Sequence, residues 1–157
     1  DPASVRIAGI GQGTDTMAVR YRSELTSFRA TRAAAQAAYA MAGFGPERIE
    51  LAEIHDAFSP FELISLEDTG LMPAGKAGRA TLDGETALDG RLPVNTSGGL
   101  KARGHPLAAT GIAQIVELCW QLRGMAEGRQ VQARVGLAQS IGGLATNNWV
   151  VLVEARA

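Results

Sequence analysis

The stretch from Phe28 to Ala42 is dominated by alanine, with Ala33-Ala34-Ala35 and Ala37-Ala38 at its centre. Alanine is the best helix former, because it loses no side-chain freedom and buries no polar group. Gly43 supplies the stop. A helix this thin can approach a sheet or another helix closely, so the stretch is predicted to lie inside the molecule and not on its surface. The segment before it, Val5-Arg6-Ile7-Ala8-Gly9-Ile10, alternates and reads as a strand. Gly9, Gly11 and Gly13 follow in quick order, but a dinucleotide-binding fingerprint needs a helix to open at once after its glycines. Thr14-Asp15-Thr16-Met17 has no apolar periodicity, so the better reading is a strand end running into a loop.

Further along, Leu51-Ala52-Glu53-Ile54 reads as a short strand. Ser59-Pro60-Phe61-Glu62 reads as a capping box, with Ser59 at the N-cap and a helix running to about Gly70. Residues 72–92 carry Pro, Gly, Asp and Thr and read as a loop excursion. Asn95 to Gly104 is a glycine-rich loop, after which Pro106 is expected to open a second strong helix. Ile112, Ile115, Val116, Cys119 and Leu122 form its predicted buried stripe, and Gly124 ends it. Val131 to Leu137 reads as a strand, Gln139 to Gly143 as a turn and Trp149 to Val153 as a closing strand. The order β-α-β-α-loop-α-β-β gives an α/β layered domain over residues 1–157.

The chain has 157 residues, of which 46% are hydrophobic and 20% charged, enough for one domain with a real core. A net charge of −1 without a basic run argues against nucleic-acid binding. A single cysteine, Cys119, excludes an intrachain disulfide and suits a reducing compartment. No signal-peptide pattern and no long apolar run occur, so a cytoplasmic protein without a membrane span is expected. The chain begins at Asp1, as a processed protein or a piece of a longer one would.

The two histidines of the chain stand in its two most motif-like stretches, each ahead of a marked helix start. His55 lies in Glu53-Ile54-His55-Asp56-Ala57-Phe58, between a strand end and a helix, where ligand sites of open α/β sheets gather. It is either an oxyanion donor or general acid/base, or a polar residue closing a strand. His105 precedes Pro106 at a helix N-terminus, which disfavours the imidazolium. A neutral imidazole there can still donate one N–H to an oxygen that develops negative charge, or simply cap its helix. Gly142-Gly143 allows close backbone approach to a ligand, but on its own it reads as a hairpin turn. Phe58 packs or walls a site. Lys101 and Arg103 could meet phosphates but read as solvated loop residues. Cys119, on an apolar stripe with no cation beside it, reads as inert. Two histidines and no cysteine cluster are too few for a metal centre.

Together these motifs resemble the C-terminal half of the thiolase superfamily over essentially the whole chain. The run Asn95-Thr-Ser-Gly-Gly-Leu-Lys-Ala-Arg-Gly-His105-Pro-Leu-Ala-Ala-Thr-Gly111 is similar to that family's block ending in Gly-His-Pro-x-(Gly/Ala)-Ala-(Thr/Ser)-Gly. His55-Asp56-Ala57-Phe58 resembles its Asn-Glu-Ala-Phe or His-Asp-Cys-Phe block, the His-Asp form being that of the sterol-carrier-type and archaeal-type branch. Ser140-Ile141-Gly142-Gly143 falls where many thiolases have Cys-x-Gly-Gly. The resemblance implies a layered mixed sheet with the alanine-rich helix buried. It implies that His105 helps bind a thioester oxygen and activates the nucleophilic cysteine, that His55 joins it in a first oxyanion hole directly or through water, that Gly142 donates a backbone N–H to a second, and that Ala57, Phe58 and Gly143 border the acyl-CoA pocket. Coenzyme A thioester is then the substrate, and no further cofactor is implied.

The departures are equally specific. The nucleophilic cysteine of a thiolase lies in the N-terminal half, which these residues do not include, and Cys119 cannot replace it. The acid/base cysteine of the Cys-x-Gly-Gly block is Ser140, and the alternative cysteine of the His-Asp-Cys-Phe block is Ala57. A serine hydroxyl is a poor proton shuttle without a base beside it. Three readings follow. In the first the chain is half of an acyl-CoA enzyme that transfers acyl groups or makes and breaks C–C bonds. In the second the completed protein is a retro-aldolase on 3-hydroxyacyl-CoA, paired with a small zinc-ribbon and OB-fold partner. In the third the chain is a lipid-carrier or structural subunit without chemistry. The expected partners are an N-terminal thiolase half and further copies of the chain, since a lone half would expose apolar surface.

Overall fold

A computed structural model describes residues 4–156. Four strands form one mixed sheet: β1 (Val5–Thr14), β2 (Leu51–Ile54), β3 (Val135–Gly142) and β4 (Asn147–Ala155), in the order β1-β4-β3-β2. β4 runs antiparallel to both of its neighbours, and β2 pairs in parallel with β3. Helices α1 (Arg29–Ala42) and α2 (Ser59–Asp68) cover one face. The short α3 (Ala77–Leu82) and α4 (Gly99–Arg103) follow, and α5 (Thr110–Leu122) covers the other face. The main core joins Ala34, Ala35 and Ala38 of α1 with Ala52, Ile54, Leu137, Val150 and Leu152 of the sheet. A second core joins Leu118 and Leu122 of α5 with Leu51, Ala138, Val151 and Val153.

The glycines of β1 are explained by α1. A Cβ placed on Gly9, Gly11 or Gly13 would lie 2.1, 2.0 or 2.2 Å from the carbonyl oxygen of Ala38, Ala34 or Ala30. The two periods match: two strand residues advance about 6.6 Å, and four helix residues advance about 6 Å. A comb of glycines two apart therefore meshes with a comb of alanines four apart, and the backbones touch. The inward face of α1 is buried as expected, while its opposite face, with Gln36 and Met41, is open.

Several local expectations are corrected. The N-cap of α2 is Phe58 and not Ser59, and no side chain caps it. Glu62 accepts instead from Asn95 Nδ2 at 3.2 Å, and Ser59 Oγ is held by Lys101, so no capping box forms. The excursion at 72–92 contains α3, whose first turn is held by Glu67 through the N–H groups of Gly75 and Ala77. β3 starts at Val135 and continues through Gly142. Gln121 and Glu50 take the N–H groups of Val131 and Arg134, so those residues do not join the ladder. The turn is shifted to Gly143–Thr146, closed by Thr146 N–H on Gly142 O at 3.1 Å.

The largest correction concerns α5, which starts at Thr110, after a turn over Pro106–Ala109. Its inward face is polar: Thr110, Gln114, Glu117 and Gln121 are buried with Leu118 and Leu122. Of the predicted stripe, Leu122 alone is fully buried, while Ile112 and Val116 are exposed and are joined outside by Trp120. The inward polar groups are bonded except for Gln114 Oε1, which is buried without a partner among the described residues. Gln114 Nε2 donates to Glu53 O and Gln139 O at 3.2 and 2.9 Å. Glu117 is clamped by two bonds from Arg129, both 2.9 Å. Gln121 Nε2 donates to Arg129 O at 2.9 Å. Buried polar groups are tolerated when bonded in this way.

The meshed combs make a direct prediction. Gly11→Ala is expected to lower unfolding stability in urea by about 2–3 kcal/mol through overpacking. Gln12→Ala, one residue along on the opposite face, is expected to change it by less than about 0.5 kcal/mol. Equal small effects would show that α1 and β1 are not in backbone contact.

Candidate active site

The two motif stretches are bonded to one another almost residue by residue. Asn95 N–H donates to Ala52 O at 2.8 Å, and Ile54 N–H donates to Asn95 Oδ1 at 2.8 Å. The buried Glu53 carboxylate accepts from Ser97 N–H at 3.0 Å and from Ser97 Oγ at 2.5 Å. Asp56 Oδ1 accepts from Leu100 N–H at 2.7 Å. Gly99 makes that last approach possible, since a Cβ there would lie 2.3 Å from Asp56 Oδ2. The end of β2 thus fixes the path of the loop that delivers His105. His55 N–H, in turn, donates to Gln139 Oε1 on β3 at 3.1 Å.

The outcome is a close histidine pair. The rings of His55 and His105 stand edge to face with centroids 5.0 Å apart. They open on a cavity of about 550 Å³ at the carboxyl ends of the parallel strands β2 and β3. All seven residues expected at a site line it: His55, His105, Ser140, Gly142, Ala57, Phe58 and Gly143. Phe58 is 56% exposed at its rim and stacks edge to face on Phe61. Gly142 ends β3 and Gly143, at φ +62°, begins the turn, so the Gly-Gly pair both makes the turn and borders the cavity. Cys119 is not among the lining residues, and burial raises its thiol pKa.

The electrostatics separate the groups. His55 is buried, with Nδ1 lacking a partner among the described residues, and burial pushes its pKa down to about 4, with the neighbouring His105 adding to the effect. His55 is therefore a neutral imidazole at neutral pH. Burial also raises Glu53 above the ordinary carboxylate range, against the opposing bonds from Ser97. Burial acts on Glu117 in the same direction, but the bonds from Arg129 and Gln121 outweigh it and hold that carboxyl low. Thr96 Oγ1 bridges the two carboxylates, 3.3 Å from Glu53 and 3.1 Å from Glu117. Arg103 is not a solvated loop residue. Its Nε donates to Ser97 Oγ at 3.2 Å and its Nη2 is buried without a partner among the described residues.

The sequence reading did not single out Leu107, Thr110, Gly111, Asn147 and Trp149 as site residues, yet they share the lining. Trp149 was legible in principle: it stands opposite Ser140 in the β3–β4 ladder, and directly opposed residues share a face. Thr110 holds His105 Nδ1 at 2.7 Å, five residues away in sequence. Gly111 leaves room for Ser140, whose Oγ would lie 3.2 Å from a Cβ at that position.

The depressed His55 predicts how stability responds to acid. Between about pH 6.5 and 4 the unfolded chain binds a proton at His55 that the folded chain does not. The His55 contribution is thus intact above the unfolded pKa and is lost as pH falls toward 4, by up to about 3 kcal/mol at about 1.4 kcal/mol per unit. Denaturant titrations of the parent and His55→Asn at pH 7 and pH 4.5 check this. The difference between them is expected to shift in favour of the variant at acid pH, and a constant difference would mean that His55 titrates alike in both states.

Comparison with known proteins places the chain in a family. The profile of the family described as "Thiolase C-terminal domain-like" matches residues 11–155. An acetyl-CoA acetyltransferase of Methanothermobacter thermautotrophicus is 49% identical over 140 residues, covering 88% of this chain and 37% of the relative. Sterol carrier protein 2 of Bos taurus is 45% identical over 120 residues, covering 76% of this chain and 22% of the relative. The solved Ltp2-ChsH2(DUF35) aldolase superposes with a TM-score of 0.86 at 28% identity, covering 99% of this chain and 40% of that one. The chain thus spans well under half the length of these proteins. The profile covers nearly the whole chain, so the chain belongs to the thiolase C-terminal domain-like family.

Proposed function

We propose that this chain is the C-terminal half of a thiolase-like enzyme acting on coenzyme A thioesters, by acyl transfer or by making or breaking a C–C bond. The observation that carries this reading is the histidine pair, 5.0 Å apart at the end of a parallel strand pair and bordering one cavity with Ser140 and Gly142. Two imidazoles there can each offer an N–H to a thioester oxygen as it takes on negative charge. Gly142 N–H would serve a second oxygen, and Ala57, Phe58 and Gly143 would border the acyl group. The nucleophilic thiol comes from an N-terminal half, in the same chain or a separate one. The outward stripe of α5, with Ile112, Val116 and Trp120, and the exposed Ile7 and Trp149 nearby form the surface that this half covers.

A second reading is favoured by one specific feature: neither Ser140 nor Ala57 supplies the second thiol that thiolysis and condensation use. A retro-aldol reaction needs none. A base takes the hydroxyl proton of a 3-hydroxyacyl thioester, the C–C bond breaks, a ketone or aldehyde forms, and the electron pair goes to a thioester enolate whose oxygen the histidines hold. Protonation of the enolate carbon then completes the balance. The likeness to the Ltp2 aldolase supports this reading, and a DUF35-type zinc-ribbon and OB-fold partner would go with it.

The assembled protein, with its cysteine-bearing half, separates these readings. Cleavage of 3-oxoacyl-CoA that requires free CoA supports thiolysis, whereas cleavage of 3-hydroxyacyl-CoA without free CoA supports the aldolase. In either case His105→Asn and His55→Asn are each expected to lower kcat by about 100-fold or more, as loss of one oxyanion donor does. Unchanged turnover in both variants would leave only a carrier or structural role. The apolar stripe predicts a further result: the 157-residue chain alone self-associates in light scattering, and Ile112→Glu with Trp120→Glu reduces that association. A clean monomer of the unsubstituted chain would remove the argument for a covering half.

A further inference from the structure

The assignment of His105 as a donor depends on which of its nitrogens carries the proton, and the structure gives this choice to one side chain. His105 Nδ1 lies 2.7 Å from Thr110 Oγ1, while Nε2 makes no hydrogen bond among the described residues. A neutral imidazole has one donor nitrogen and one acceptor nitrogen. The Thr110 hydroxyl has a single proton, and two acceptors compete for it. Pro106 O is 3.1 Å away and already takes the N–H groups of Ala109 and Thr110, both at 3.0 Å. A carbonyl oxygen has two lone pairs, so this one is filled. The Nδ1 distance is short and the Pro106 distance is long for a hydroxyl donor.

We propose that Thr110 is a positioning residue that fixes the tautomer of His105. Its hydroxyl donates to Nδ1, and the imidazole proton is thereby kept on Nε2, the ring nitrogen without a bond among the described residues. His105 is then set to donate to an oxygen, and in the resting site it does not present a lone pair to take a proton. Thr110 suits the task because it is itself held. It is 3% exposed and is the first residue of α5, so its Oγ1 has a fixed origin. His55 is independent of it. Its Nδ1 is buried without a partner, and a bare lone pair costs less there than a bare N–H, which favours the same Nε2–H form on different grounds.

The functional sense of this assignment rests on the thioester reading, but nitrogen spectra recorded without substrate test it separately. The 157 residues hold two histidines, so ¹⁵N-histidine labelling of this 157-residue chain gives two imidazole patterns, which His105→Asn assigns. Recorded where both rings are neutral, the native His105 pattern is expected to show Nε2 protonated and Nδ1 bare. Thr110→Val, which keeps shape and removes the hydroxyl, is expected to convert this to a mixture containing Nδ1–H. Thr110→Ser should restore the native pattern, and His55 should be unmoved throughout. A native His105 protonated on Nδ1 overturns the proposal, and that measurement needs no Thr110 variant to fold. A native pattern retained in Thr110→Val with His55 unmoved overturns it as well. In the assembled enzyme the same substitution should lower kcat with little change in KM, and Thr110→Ser should recover the loss.

Discussion

One buried carboxylate organises the functional end of this molecule. Glu53 sits on β2 with no exposure, and its oxygens take the N–H and hydroxyl of Ser97 and lie within reach of the Thr96 hydroxyl. Burying a carboxylate is costly unless bonds compensate it, and here those bonds are the loop that leads to His105. Through Thr96 the same network reaches Glu117 on α5 and, beyond it, Arg129. A strand, a loop and a helix are thus tied at one point, and the two histidines meet because their backbones are tied to the same strand end.

The composition of α5 follows from that arrangement. A helix packed on a sheet normally turns its apolar stripe inward. Here Thr110, Gln114, Glu117 and Gln121 are turned inward because the strand ends and the 95–104 loop present carbonyls and side chains that need partners. Ile112, Val116 and Trp120 are left outside, and Ile112 and Ile115 border a further groove of about 290 Å³ beside Ile10, Trp149 and Val151. The same reversal defeated the reading of the helix from periodicity, since Ile112, Ile115, Val116, Cys119 and Leu122 do make a regular stripe. Periodicity reports that a helix has two faces; it does not report which face the rest of the chain occupies.

Other parts were legible for identifiable reasons. The alanine run fixed α1, and the paired motifs around His55 and His105 marked the cavity, because glycine and histidine patterns of that length rarely arise from packing alone. Thr110 and Gln139 were not legible. A threonine at a helix start and a glutamine in a strand carry no local signal, and their roles exist only once Pro106, His105 and the His55 backbone have been brought to them. Strand limits were missed where side chains such as Glu50 and Gln121 take backbone N–H groups that a ladder would otherwise use.

The glycine and alanine combs of β1 and α1 have a mechanical consequence. Where backbone meets backbone with no side chain between, there are no rotamers to change and nothing to deform gradually. The helix can shift along the strand only by a whole tooth, about 6 Å, and any smaller slide drives carbonyl oxygens into Cα atoms. That wall behaves as a ratchet at rest. Any adjustment of the cavity is therefore confined to the opposite side of the sheet, where side chains and loops, and not meshed backbones, fill the space.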